Sequence, residues 1–202
     1  MQKTRDWFRQ TTVHNTLTLD HKNLETTESK TLLWKPEGTV QTLVTENPSY
    51  QNLRHRRTVF FVDQKFFVFV DEALGSATGK VNLNYHLTDG KIDVNRKHLT
   101  VTTQYADDSN VSIQGFSDQA ANLEVTEGWY SLAYRQKTAR PSLSFDLNKT
   151  NEAPVRFITV ITPFTKADKK VAYVAKILKA TDNELQVEVS VNGQKRILNW
   201  QR

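Results

Sequence analysis

Residues 58–72 read TVFFVDQKFFVFVDE, and their pattern decides the fold class. Two runs, Val59–Val62 and Phe66–Val70, are apolar at consecutive positions. A strand built from either presents apolar side chains to both faces, which places it mid-sheet with cover on each side. Asp63-Gln64 between the runs reads as a tight turn, so the stretch is a β-hairpin. One face of the hairpin then meets an opposing sheet. The other meets a core under long loops, or a further domain or partner docked on it.

Outward from this hairpin the hydrophobic period stays at two almost everywhere. Strands are expected at 14–19, 39–45, 57–62, 65–71, 80–87, 99–105, 111–116, 129–136, 142–147, 155–162, 171–178, 185–191 and 195–200. No helix is expected. Asn192-Gly193, between QVEVSV and QKRILNW, is the strongest hairpin signal in the chain. Asp89-Gly90, Glu127-Gly128 and Glu37-Gly38 mark further turns. Segments 106–110, 148–153 and 165–170 read as polar loops. Short strands punctuated in this way predict an all-β fold, a large antiparallel two-sheet β-sandwich, with residues 1–202 in one domain.

The 202 residues include no cysteine, which excludes disulfides, cysteine-ligated zinc and thiol nucleophiles. No apolar run reaches the length of a membrane span, and MQKTRDWFRQ at the start has no apolar core of a signal peptide. The net charge of +5 favours acidic partners only weakly. Nucleic-acid binding would interleave basic residues with exposed aromatics on one face. Here the phenylalanines read as core, so no nucleic-acid partner is expected.

The chain carries no glycine-rich phosphate loop, no Gly-x-Ser-x-Gly elbow and no HExxH. Its five histidines, 14, 21, 55, 86 and 98, form no i, i+2 or i, i+4 pair of the kind that builds a local metal site. His86 ends an alternating run and is expected to be exposed. Arg54-His55-Arg56-Arg57 has two readings. Its guanidinium forks match carboxylate or sulfate oxygens, or they lie beside the core and pair with Asp63, Asp71 or Glu72. Trp7, Trp34, Trp129 and Trp200 could stack on sugar rings if they form an exposed row, as in a non-catalytic carbohydrate-binding sandwich; large aromatics are more often buried at least in part. In VHNTLTLD, residues 13–20, His14 and Asn15 stand at the mouth of an alternating run. The residues alone leave open a metal ligand, a catalytic imidazole or a polar strand entrance.

The order of four stretches resembles one family. WFRQTTVHNTLTLDHKN (7–23), HRRTVFFVDQKFFVFVDEALG (55–75), GWYSLAYRQKTARPSLSFDL (128–147) and PVRFITVITPF (154–164) are similar to successive segments of the heparinase II/III-type polysaccharide lyases, nearest their heparan-sulfate-degrading branch. The resemblance implies a C-terminal β-sandwich, here in part, partnered by an N-terminal α/α toroid of the same polypeptide. It implies an acidic polysaccharide such as heparan sulfate as substrate, or another uronate polymer such as alginate, cleaved by β-elimination. In the family the uronate carboxylate is neutralised, a Tyr or His takes the C5 proton and the glycosidic oxygen leaves. The base and the neutralising group belong to the toroid, so no catalytic residue is expected in this chain and the chain alone is expected to be inactive. By the same resemblance His14 matches the third ligand of a divalent metal (zinc, calcium or manganese). The two earlier ligand motifs have no counterpart in the thirteen residues before it, so this chain by itself is not expected to hold the ion. Arg9 and Asn15 are placed as substrate-binding residues. A bacterial periplasmic or secreted location is implied, with the signal peptide outside this stretch. One departure is His21, which stands after Asp20 where the family usually has glycine; if that turn requires a positive φ, histidine adopts it at some cost.

Overall fold

The computed structural model describes residues 2–168 and 171–202. The hairpin at its centre pairs β4 (Leu53–Val62) with β5 (Phe66–Leu74), Phe61 opposite Phe67. Its turn residues Asp63 and Gln64 have φ of 51° and 56°, the left-handed geometry of a two-residue turn whose twist matches that of the strands. On one side follow β3 (Val40–Tyr50) and the edge strand β2 (Lys30–Lys35). On the other side β12 (Val155–Phe164) inserts beside β5, followed by β9 (Asn110–Phe116), β8 (Thr100–Gln104) and β7 (Lys91–Asn95). The result is an eight-stranded antiparallel sheet.

A four-stranded antiparallel sheet covers part of one face, in the order β1 (Leu17–Leu19), β6 (Gly79–His86), β11 (Thr138–Lys149), β10 (Asn122–Tyr130). A C-terminal meander, β13 (Tyr173–Ala180), β14 (Glu184–Val191) and β15 (Gln194–Gln201), covers part of the other. Asn192 and Gly193, with φ of 50° and 85°, turn β14 into β15 as their sequence predicts.

Each covering sheet makes a core with the wide one. The first joins Leu17, Leu83, Tyr85 and Phe145 to Leu53, Ala73, Ile113 and Phe157. The fit is close, since a Cβ on Gly115 of β9 would fall 2.7 Å from the Phe145 ring of β11. The second joins Phe60, Val62, Phe66, Val68 and Val70 to Leu185, Val187, Val189, Leu198 and Trp200. Burying each of these large side chains contributes on the order of 1.5–3 kcal/mol. The Trp200 indole N–H, which burial would otherwise leave unpaired, donates to Thr58 Oγ1 at 3.0 Å. The all-β antiparallel sandwich is thus as predicted, with a third layer added to the two expected. Alternation in β14 reveals a buried face but not which sheet that face meets.

The differences in element placement have local causes. Gln2–Phe8 forms a short helix, α1, where no helix was expected. The strand expected from His14 begins at Leu17, because Thr11–Val13 makes a 3₁₀ turn that ends at His14. Strands β2 and β7, not expected from sequence, are edge strands with mostly exposed or half-buried residues and so a weak apolar period. The strand expected at 129–136 is a loop after residue 130, with Leu132 90% and Tyr134 81% exposed. The strand instead runs upstream through Gly128, where a turn was expected. Glycine is needed there because a side chain would meet Ser142 Oγ of β11 at 2.1 Å. Asp20 and His21 both have positive φ, 51° and 57°, so the turn after β1 does demand the conformation that glycine adopts most easily. Residues 169–170 of the expected 165–170 loop lie outside the described residues. Among the described residues no helix is long and apolar enough to cross a membrane.

Candidate functional site

The segment from Thr12 to Asn15 is held by side chains from three strands. His86, at the end of β6, donates through Nε2–H to the Thr12 carbonyl at 3.0 Å. Arg140 of β11 reaches the Val13 carbonyl at 3.4 Å. Arg57 of β4, in the wide sheet, donates to the Asn15 carbonyl at 2.8 Å. The Asn15 side-chain oxygen accepts the His86 backbone N–H at 2.8 Å. Three backbone carbonyls are thereby fixed, and the His14 side chain between them is exposed with no ring partner among the described residues. This end of the sandwich is a rigid mount for an outward imidazole and the adjoining Asn15 amide.

His86 departs from its expected exposure. It is half-buried, and Nδ1 lies 2.8 Å from Ser142 Oγ. Burial, reinforced by the positive charge of Arg140, lowers its pKa to about 4. The ring is therefore neutral near pH 7, with its proton on Nε2 facing Thr12 and Nδ1 accepting from the Ser142 hydroxyl. This pair is not a nucleophilic dyad: Ser142 is buried and the strand at Gly128 closes over its oxygen. The pair was not legible because it depends on the β6–β11 register that places Ser142 opposite His86.

Beneath the mount lies an ionic knot. The fully buried Asp71 of β5 contacts His55 Nε2 at 2.6 Å and Arg57 Nε at 2.7 Å. Burial pushes the Asp71 carboxyl up, but the Arg57 charge and the His55 hydrogen bond outweigh it and hold the pKa below the ordinary carboxylate value. Arg57 thus links the buried carboxylate to the exposed segment. Its neighbours are engaged on the opposite face. Arg54 and Arg56 both clasp Glu46, Arg56 through Nε at 3.0 Å and Nη2 at 2.8 Å, and both reach Asp182. Of the partners expected for this cluster Asp71 is used. Glu72 pairs with Arg156 at 2.7 Å, and Asp63 pairs with Arg196. The cluster is an internal cross-link, not an open anion site.

The tryptophans do not form a row. Trp200 is buried, Trp34 is exposed on β2, and Trp7 and Trp129 are half-buried in a cavity of about 220 Å³ lined by Thr4, Phe8 and Lys137, whose ammonium lies 3.9 Å from the Trp129 ring centroid. Arg9 is exposed in the turn after α1, where its N–H donates to the Asp6 carbonyl. No hydrogen bond or ion pair joins Arg9 to His14 or Asn15 among the described residues. Among the described residues no three His, Asp or Glu side chains converge there either.

Residues 2–199 match the family described as heparinase II/III-like, C-terminal, and the chain belongs to this family. It is 49% identical over 198 residues to a heparin-sulfate lyase of Bacteroides stercoris, covering 97% of this chain and 30% of that protein. It is 31% identical over 202 residues to a heparin-sulfate lyase of Pedobacter heparinus, covering 98% of this chain and 30% of that protein. A solved heparinase III gene product superposes with a TM-score of 0.96 at 49% identity, covering 100% of this chain and 32% of that one. The crystal structure of heparan sulfate lyase from Pedobacter heparinus gives 0.91 at 29% identity, covering 99% and 32%. The chain therefore spans about 30% of the length of the curated relatives it matches.

Proposed function

We propose that this chain is the C-terminal part of a polysaccharide lyase that cleaves heparan sulfate or a related uronate-containing glycosaminoglycan by β-elimination. The observation that carries this reading is the 49% identity, over nearly the whole chain, to a protein named heparin-sulfate lyase. Elimination requires a base at the C5 proton and a group that neutralises the uronate carboxylate, placed together. Both come from the rest of the polypeptide, an N-terminal α/α toroid. The present chain supplies one wall of the cleft. On that wall the fixed Thr12–Asn15 segment presents the Asn15 amide, and Arg9 presents a guanidinium, to carboxylate or sulfate oxygens of the sugar.

His14 supplies one imidazole nitrogen to a divalent ion, zinc, calcium or manganese, whose other ligands lie elsewhere in the polypeptide; no step of the elimination is assigned to that ion. The enzyme works in the periplasm or outside a bacterial cell, where its polymer is met. Ultraviolet absorbance of unsaturated uronate tests the main reading. Heparan sulfate treated with the full-length parent should develop it, and treated with the purified 202-residue chain should not. Absorbance from the chain alone, or none from the parent, defeats the proposal. His14→Ala in the parent should lower bound metal and thermal stability together; unchanged metal content removes His14 from the ligand set.

A further inference from the structure

Residues 131–139, the loop after β10 and the start of β11, are exposed throughout. From Gly128 to Phe145 the sequence has no acidic residue, while Arg135, Lys137 and Arg140 supply three cations. Aromatic rings are interleaved with them. The Arg135 guanidinium lies 5.2 Å from the Tyr134 ring centroid, and the Lys137 ammonium 3.9 Å from that of Trp129. Trp129 is also one wall of the cavity of about 220 Å³. Trp7 and Phe8 of α1 form another, with Thr4 beside them and Lys137 supplying the charge. This volume is below the roughly 300–1,000 Å³ of sites for drug-sized ligands, and it suits a single sugar ring. The cavity lies at the end of the sandwich that carries His14. Gly128, the residue before Trp129, is opposite Arg140, which reaches the Val13 carbonyl, and α1 runs into the same segment.

We propose that this cavity binds one acidic sugar unit, its carboxylate or sulfate oxygen accepting from the Lys137 ammonium and its C–H surface packing on Trp7 and Trp129. The proposal deepens, and rests on, the reading of the chain as part of a glycosaminoglycan lyase. Lys80, Lys176, Lys179 and Lys195 are each paired with a carboxylate. Lys137 has no such partner among the described residues, and its ammonium is held against an aromatic wall instead. Charge and apolar wall in one place are what an acidic sugar requires. An apolar peptide would desolvate the ammonium without supplying a counter-charge. The run without carboxylates from Gly128 to Phe145 extends the positive field around the cavity and favours a polyanion over a neutral glycan.

Kinetics of the full-length parent on heparan sulfate test the site. Lys137→Gln should raise KM about 10-fold, equivalent to about 1.4 kcal/mol for one charge-assisted contact. Its kcat should stay within about twofold, the pattern of lost uniform binding, and its thermal midpoint should not move, because the side chain is exposed. Lys137→Arg keeps the charge and should return KM close to that of the parent. Trp129→Leu removes the indole and should also raise KM; circular dichroism checks its folding, and the Lys137 variants decide alone if it does not fold. Repeating the comparison on an unsulfated polymer of the same sugars names the anion: an effect kept there assigns the carboxylate, an effect lost there the sulfate. Unchanged KM in Lys137→Gln overturns the proposal. So does a joint fall in kcat and thermal midpoint, the mark of a structural role. Inhibition by single-stranded DNA that Lys137→Gln relieves overturns it as well, making the hairpin a general polyanion surface. The two readings separate cleanly. An active parent whose KM ignores Lys137 sinks the site and leaves the proposed function intact. A parent without lyase activity that binds a heparan-sulfate disaccharide through Lys137, measured by calorimetry, keeps the site and sinks the function.

Discussion

The two faces of the β4–β5 hairpin are written in the same apolar alphabet and have different fates. Phe60, Val62, Phe66, Val68 and Val70 are buried against the meander. Val59, Phe61, Phe67 and Phe69, on the same strands and one residue out of phase, remain half-buried. Residue chemistry therefore says that a face seeks cover, while the supply of neighbouring layers decides whether it finds it.

The comparison breaks most sharply at Phe60. Phe60→Ala should cost roughly 3–5 kcal/mol, the range for deleting a fully buried aromatic. Phe61→Ala in the isolated chain should cost about 1 kcal/mol, nearer a surface change. Urea unfolding of both reads the difference, and equal costs would refute the idea of one covered and one bare face. Next comes the knot at the border between them. Asp71→Asn leaves the half-buried Arg57 without its counter-charge and should cost about 3 kcal/mol. Because the folded-state pKa of Asp71 is depressed, its contribution is present above the unfolded carboxylate range and is lost as pH falls through the lower folded value. Acid titration of stability should show that loss in the parent sequence and a flatter curve in Asp71→Asn. Trp200→Phe keeps the ring in the covered core but removes its N–H from Thr58; a loss of about 1–2 kcal/mol in thermal or urea unfolding is expected. The smallest effect should come from Arg196→Ala, which breaks the partly exposed pair with Asp63 at the hairpin turn and should change urea stability by about 0–1 kcal/mol.

Much of the fold was legible because strand alternation and turn chemistry are local. The Asp63-Gln64 and Asn192-Gly193 turns both fall where their residues put them. The strand through Gly128 was not legible, since the reason for that glycine lies on another strand, at Ser142. At the candidate site the sequence singled out His14 and Asn15 but not what fixes them. His86, Arg140 and Arg57 are 42 to 126 residues away from this pair, and they converge only after two sheets have stacked. The Arg54–Arg57 run shows the same limit. Its charge was plain in sequence, but strand alternation sends Arg57 to the Asp71 side and Arg54 and Arg56 to Glu46.

The bond between Trp200 and Thr58 spans 142 residues, and this separation bears on how the protein is born. The phenylalanine-rich hairpin leaves the ribosome long before the meander that shelters it. At synthesis rates of about 5–20 residues per second, roughly 7–30 seconds pass between the two. During that interval both sides of the nascent hairpin are greasy, and strands of this composition are candidates for misassociation. A cell making this protein has reason to keep a holding chaperone close to the emerging chain until β15 arrives.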